Sequence, residues 1–223
     1  MVAVFIKNIF KINFKTLIIN FKYLPFTQAI YLPIFVSRKC NLLVLKGEIK
    51  IEGKISPGLV QIGYGKIGIF DKRYSRSVLE IKGKITFKGK ARIGQGSKLS
   101  VGSKGHMILG NNLLVTAESS IVSHKKISIG DDVLISWDVL IMDTDFHSIY
   151  TENGEKINPN KDIVIGDRVW IGCRCLILKG SEIPNKSVIA ANTVYSTNKL
   201  KENNSIIGGI PVRVIKERVT WEI

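Results

Sequence analysis

Isoleucine recurs every six residues between positions 163 and 194, where the sequence reads IVIGDRVWIGCRCLILKGSEIPNKSVIAANTV. The isoleucines are Ile165, Ile171, Ile177, Ile183 and Ile189, and four positions after each stands Val169, Cys175, Ser181, Ser187 or Thr193. Neither the two-residue period of a strand nor the 3.6-residue period of a helix produces this spacing. The repeat predicts a parallel β-helix with three short sides per coil, one inward aliphatic residue per side and a small residue in each inner corner.

The pattern weakens towards the N terminus. Residues 45–90 alternate apolar and polar positions between glycine or lysine turns without a steady sixfold phase, which becomes firmer from residue 91. We therefore expect one β-helical domain over 45–216, with imperfect early coils, followed by a short tail over 217–223. The polar segments 71–77 and 146–161 predict loops that leave the coil, and such loops commonly carry the function of a solenoid.

Residues 1–44 differ from the rest of the chain. They contain no acidic residue, and four lysines recur at helical spacing between aromatic and aliphatic residues. This predicts a basic amphipathic helix to about Phe21, with Pro25 and Pro33 interrupting the segment after it. Lysines interrupt every stretch long enough to span a bilayer, and no signal-peptide cleavage site is evident. The helix would either lie in an anionic membrane interface or pack its apolar face on the first coil as a cap.

Charge and cysteine content narrow the partners and the compartment. Of the net charge of +15, residues 1–126 carry 22 Lys and Arg against five acids, while residues 127–223 carry 11 against 13. Lysines dominate without an Arg-rich, aromatic reading element, so an anionic membrane surface or an acidic glycan is expected rather than nucleic acid. The three unevenly spaced cysteines form no disulfide framework, which favours a cytoplasmic protein, peripheral to the membrane if the N-terminal segment binds lipid.

The sequence MDTDFH, at the root of the second loop, holds the candidate chemistry. In an extended chain Asp143 and Asp145 share a side with His147, and a neighbouring carboxylate would make this imidazole a better general base. Asp143, and Asp138 on the preceding coil, are candidates for acceptor contacts. His106 and His124 lie eighteen residues apart and would stack on neighbouring coils, but a third ligand in register is missing, so no metal site is expected.

The run IGDDVLI…DTDFHSI…IVIGDRVWIGCRCLIL…GIPVRVIK resembles the hexapeptide-repeat acyltransferases, and within them the branch that O-acetylates galactosides, maltose and bacterial polysaccharides. The resemblance is good over 127–216 and loose over 45–126, and it does not extend to 1–44. It is carried by VWIG, the loop-root histidine and the closing GIPVRVIK. It implies an all-β, left-handed parallel β-helix, assembled as a homotrimer with active sites between subunits.

The resemblance also implies roles for individual residues. His147 would take the proton from a sugar hydroxyl as that oxygen attacks acetyl-CoA, with Asp145 beside it. The cofactor-binding positions would be Trp170, Cys173, Ala191, Ser196, Thr197, Arg213 and Lys216. The family's usual lysine after Thr197 is absent, and Lys199 would replace it.

Two other functions remain open. One is acetyl transfer to an amine of a nucleotide sugar, which the sequence does not separate from O-acetylation. The other is a non-enzymatic, glycan-binding β-solenoid, against which Trp170 and the basic tail argue.

Overall fold

Three parallel sheets form the faces of a triangular prism in the computed structural model, which describes residues 9–222. In each coil the chain passes from sheet A to sheet B to sheet C, so the prism has three corners, named here AB, BC and CA. This is the predicted left-handed parallel β-helix.

The strands are short and follow one another in regular order. Sheet A contains β1 (Ile34–Val36), β4 (Val60–Ile62), β7 (Ala91–Gln95), β10 (Leu113–Ala117), β13 (Leu134–Ile135), β16 (Trp170–Ile171), β19 (Val188–Ile189), β21 (Ile206–Gly208) and β22 (Arg213–Lys216). Sheet B contains β2 (Asn41–Leu45), β5 (Val78–Ile81), β8 (Lys98–Val101), β11 (Ser120–Ser123), β14 (Leu140–Met142), β17 (Leu176–Leu178) and β20 (Val194–Tyr195). Sheet C contains β3 (Glu48–Ile51), β6 (Lys84–Phe87), β9 (His106–Leu109), β12 (Lys126–Ile129), β15 (Ile163–Ile165) and β18 (Glu182–Ile183).

The core is the column of inward side chains along the prism axis. All five isoleucines of the sixfold repeat are buried, and so are the five small residues that follow them at the corners. Each buried isoleucine stabilises the fold by about 1.5–3 kcal/mol relative to an exposed one. At the next sixfold position Tyr195 fills the core, and its hydroxyl donates to the carbonyl oxygen of Glu182 at 2.8 Å.

The coils differ in length, which explains the irregular phase of the early sequence. Trp170 pairs with Val188, eighteen residues later, whereas Leu114 pairs with Leu134, twenty residues later. The extra residues lie at the corners and shift the sixfold phase without disturbing the strands. Two longer segments leave the prism as loops, 63–77 at the AB corner and 143–162 at the BC corner.

Two short helices lie at the N-terminal end of the prism. After a 3₁₀ turn (Ile9–Lys11), α1 (Phe14–Tyr23) begins at Asn13, whose Oδ1 accepts the N–H of Lys15 at 3.0 Å, and α2 (Phe26–Ala29) follows Pro25. The first eight residues of the expected helix lie outside the described range. Within that range no helix is both long and apolar enough to cross a bilayer.

α1 packs against the first coil, but only part of its apolar face is buried there. Its buried residues are Thr16, Ile19 and Asn20, while Phe14 and Phe21 point outward. The polar side chains face the coil because they hydrogen-bond the backbone of β1.

Candidate active site

The segment 143–162, called the His147 loop here, leaves sheet B after β14 and returns to sheet C at β15. Asn158 holds its two arms together: its side-chain amide donates to the carboxylate of Asp145 and to the carbonyl oxygen of His147, at 2.8 and 2.9 Å. Its side-chain oxygen accepts the N–H of Ile149 at 2.7 Å. The loop therefore has a defined root.

Asp143 is fully buried and does not reach the loop surface. Its Oδ1 accepts the N–H of His124 at 2.6 Å, and its Oδ2 accepts the hydroxyl of Ser123 and the N–H of Lys125, both at 2.9 Å. These donors belong to the end of β11 and to the turn that follows it in the coil below. The expectation that Asp143 contacts an acceptor is wrong, because both oxygens of its buried carboxylate already accept hydrogen bonds from these donors.

Asp145 is exposed but does not orient the imidazole ring of His147 either. Its carboxylate binds the ammonium group of Lys179 and the amide of Asn158. These hydrogen bonds, that from Lys179 first, hold the pKa of Asp145 below its usual range. Sequence reasoning missed both partners, because Lys179 is 34 residues away and reaches the loop only through coil stacking.

His147 stands at the exposed end of this scaffold. Its N–H donates to the carbonyl oxygen of Asp145 at 2.6 Å, so its backbone is fixed on both sides. Within residues 9–222 its ring has no hydrogen-bond partner, which leaves both ring nitrogens open to a ligand. The ring of Phe146 meets that of His124 edge-on, with 4.9 Å between centroids.

The other two histidines do not stack on each other, contrary to expectation. His106 aligns with Lys126, not with His124, because the coil here is twenty residues long. Its Nε2 lies 3.0 Å from the hydroxyl of Thr86. Among the described residues no group of three or more His, Cys, Asp or Glu side chains is arranged to hold a metal ion.

Trp170 lies on the outer face of sheet A. It is 37% exposed, and its indole N–H donates to the hydroxyl of Ser136 at 3.1 Å. Trp221 packs beside it, with ring centroids 6.1 Å apart, and its own N–H donates to the carbonyl oxygen of Arg168 at 2.9 Å. The tail is thereby attached to the prism.

Cys173 and Ala191 stack on neighbouring coils at the AB corner, where the N–H of Asn192 donates to the carbonyl oxygen of Cys173 at 3.0 Å. A Cβ on Gly172 would lie 2.7 Å from the nitrogen of Ala191, so glycine permits this close approach. Asp138 occupies the same corner, with its carboxylate 3.9 Å from Nε of Arg174. Asp138 is therefore separated by the whole of sheet B from the His147 loop of the same chain.

The remaining cofactor candidates are divided between two places. Ser196 and Thr197 lie at the BC corner, two coils beyond the root of the His147 loop. Arg213 and Lys216 are exposed on β22, which pairs antiparallel with β21 at the end of sheet A. One chain thus does not bring His147 together with Trp170, Cys173 or the basic tail.

Cys175 is the inward neighbour of Cys173 and is fully buried. Its thiol lies 3.1 Å from the carbonyl oxygen of Ala190, and burial raises its pKa. This side chain fills a corner of the core and is not an accessible nucleophile.

Comparisons with known proteins agree with this architecture. No family model matches the sequence. The chain is 45% identical over 73 residues to the polysialic acid O-acetyltransferase of Neisseria meningitidis, a match covering 32% of either protein. It is 30% identical over 154 residues to the putative lipopolysaccharide biosynthesis O-acetyl transferase WbbJ of Escherichia coli K12, covering 63% of this chain and 77% of that protein.

The solved structure of the polySia-specific acetyltransferase NeuO superimposes with a TM-score of 0.51 over 85% of this chain and 78% of that one, at 20% identity. The structural likeness to NeuO shows the fold, and the sequence identity to WbbJ shows the family. The chain belongs to the hexapeptide-repeat O-acetyltransferases.

Proposed function

We propose that this protein transfers an acetyl group from acetyl-CoA to a hydroxyl of a bacterial surface glycan, with His147 as general base. The observation that carries the proposal is the state of His147: its backbone is held by Asp145 and Asn158, and its ring is open to a ligand. A fixed base with a free imidazole suits proton abstraction from a weakly acidic hydroxyl.

The reaction would be a direct transfer. A neutral nitrogen of the His147 ring accepts the hydroxyl proton as the sugar oxygen attacks the thioester carbonyl carbon. The carbon–sulfur bond then breaks, CoA leaves as a thiolate, and the imidazolium returns the proton to it. Acetyl-CoA supplies the acetyl group, and every other step relies on positioning by the protein.

The residues on sheet A and at the AB corner fit a long, anionic thioester. Trp170 offers an exposed indole, Cys173 and Ala191 are small enough for a pantetheine arm to pass, and Arg213 and Lys216 offer cations to phosphates. Ser196 and Thr197 lie at the other corner, so they would contact acetyl-CoA only beside the His147 loop of their own chain.

The separation of the two corners supports a site shared between chains. His147 of one chain would meet Trp170 and Cys173 of a neighbour, and we propose a homotrimer on this basis. The free cysteines are consistent with a cytoplasmic location.

A column of lysines supports an anionic acceptor. Lys46, Lys82, Lys104 and Lys125 occupy the BC corner in four successive coils below the His147 loop, about 4.8 Å apart along the axis by strand spacing. Lys82 and Lys125 are paired with Glu80 and Asp162, but the surface stays basic. An acidic polysaccharide lying along this corner would reach His147. The relatives' names, polysialic acid and lipopolysaccharide, point to acceptors of this kind.

The test is release of the CoA thiol in the presence of sialic acid oligomers, lipopolysaccharide oligosaccharides and neutral galactosides. His147→Ala should lower kcat by roughly 10²–10⁴-fold with the fold intact. His106→Ala, on sheet C and away from the loop, is the matched control and should keep full turnover. Full activity of His147→Ala would show that His147 is not the general base. Thiol release that no glycan increases would show that the acceptor is not a glycan of these kinds.

A further inference from the structure

The helix α1 closes the open edge of the first strand with its polar side chains. The Thr16 hydroxyl oxygen accepts the N–H of Val36 at 3.0 Å, and Asn20 accepts the N–H of Ile34 at 3.0 Å while donating to its carbonyl oxygen at 2.7 Å. β1 has a parallel neighbour, β4, on one side only. Thr16 and Asn20 therefore supply the hydrogen bonds that a preceding coil would otherwise make.

This arrangement buries Ile19 but turns three other apolar side chains of the helix away from the protein. Phe14, at 76% exposed, Leu17 and Phe21 share one helical face at spacings of three and four residues. Phe26, 72% exposed, extends the patch, its ring centroid 6.2 Å from that of Phe21. These four residues are named the phenylalanine face. Phe10, before the helix, is 90% exposed. Soluble proteins rarely present so concentrated an apolar surface without a partner for it.

The positive charge around the phenylalanine face indicates which kind of partner would bind it. Residues 9–46 contain six lysines and arginines and no acidic residue, and Lys22, Arg38 and Lys39 are exposed. A second copy would bring two basic surfaces together, which is unfavourable. An anionic lipid bilayer matches both properties, since phenylalanine and leucine enter the boundary between headgroups and acyl chains while lysines meet the headgroups.

We propose that the phenylalanine face docks this protein on the surface of an anionic lipid bilayer. The helix lies in the interface and does not cross the membrane. This binding does not depend on acetyl transfer, so it stands or falls separately from the proposed function.

The experiment is co-sedimentation of the full chain with vesicles of phosphatidylcholine alone or mixed with phosphatidylglycerol. The wild type should bind the mixed vesicles, and more weakly as salt rises. Phe14→Gln/Phe21→Gln should lower the affinity at least tenfold, because two aromatic side chains no longer enter the interface. Glutamine keeps the helix propensity, and both positions are solvent-exposed, so the circular dichroism spectrum and Tm should not change.

The matched control is Ile69→Gln/Tyr74→Gln. These side chains are also exposed, at 66% and 78%, but they lie on the 63–77 loop at the AB corner, so the variant should bind like the wild type. The proposal is overturned if the wild type ignores mixed vesicles, or if the phenylalanine variant binds as tightly as the wild type. It is also overturned if that variant changes the oligomeric mass while vesicle binding persists, since the face would then be a contact between copies.

Discussion

Replacing Asp143 with asparagine should destabilise the fold without weakening acceptor binding. Asparagine keeps one oxygen, which can still accept the N–H of His124, but its NH₂ group faces the N–H of Lys125 in place of Oδ2. A buried N–H left unsatisfied costs about 1–3 kcal/mol, and hydrogen bonds to a charged group contribute about 1.5–3 kcal/mol. We expect a loss of about 3 kcal/mol in the free energy of unfolding.

For a chain of this size 1 kcal/mol corresponds to about 2–4 °C, so the Tm should fall by about 6–12 °C. Thermal unfolding followed by circular dichroism measures this shift. Asp145→Asn is the matched control: its carboxylate is exposed and pairs with Lys179 at the surface, so the cost should stay below about 1 kcal/mol. Below both transitions, Asp143→Asn should keep the wild-type KM for the glycan. An unchanged Tm combined with a raised KM would refute this reasoning and restore Asp143 as an acceptor ligand.

Two further predictions concern the assembly and the thiols. Light scattering at micromolar concentration should give the mass of three chains, and a monomeric mass would contradict the shared site. Co-expression of inactive His147→Ala and Trp170→Ala chains should restore turnover, because every mixed trimer contains one interface with both residues intact. At pH 8 a chromogenic disulfide reagent should react rapidly with one thiol per native chain, that of Cys173. Cys40 and Cys175 are buried, and burial raises the pKa of both thiols, that of Cys40 to about 11. Acetyl-CoA should slow this reaction and Cys173→Ser should abolish it, whereas three rapidly reacting thiols would show that the core is open.

The regular coils could be predicted from the sequence because each inward position must hold an aliphatic residue and each corner a small one. The early coils could not be aligned in the same way, since a few extra corner residues change the phase while leaving the sheets intact. For the same reason the eighteen-residue spacing of His106 and His124 predicts a stack that does not form, since strand register aligns His106 with Lys126.

The candidate site was predictable in place but not in detail. The histidine at the root of an ejected loop stands out in the sequence, but the different environments of Asp143 and Asp145 do not. In an extended chain both would face the same way; the chain leaves the coil between them, so one is buried under the turn and the other reaches Lys179. The orientation of α1 could not be predicted from the sequence either. Thr16 and Asn20 face β1 because they hydrogen-bond its backbone, and the phenylalanines then point outward.

Both ends of sheet A are closed against growth. At the first strand, Thr16 and Asn20 occupy the backbone groups on which another strand would otherwise assemble. At the last coil, β22 runs antiparallel to β21, so it does not offer the parallel register that every earlier coil uses. A stack of flat coils is a natural template for end-to-end filaments, because exposed strand edges recruit other chains. Two side chains and one reversed strand therefore leave sheet A without an edge on which a further parallel coil could form.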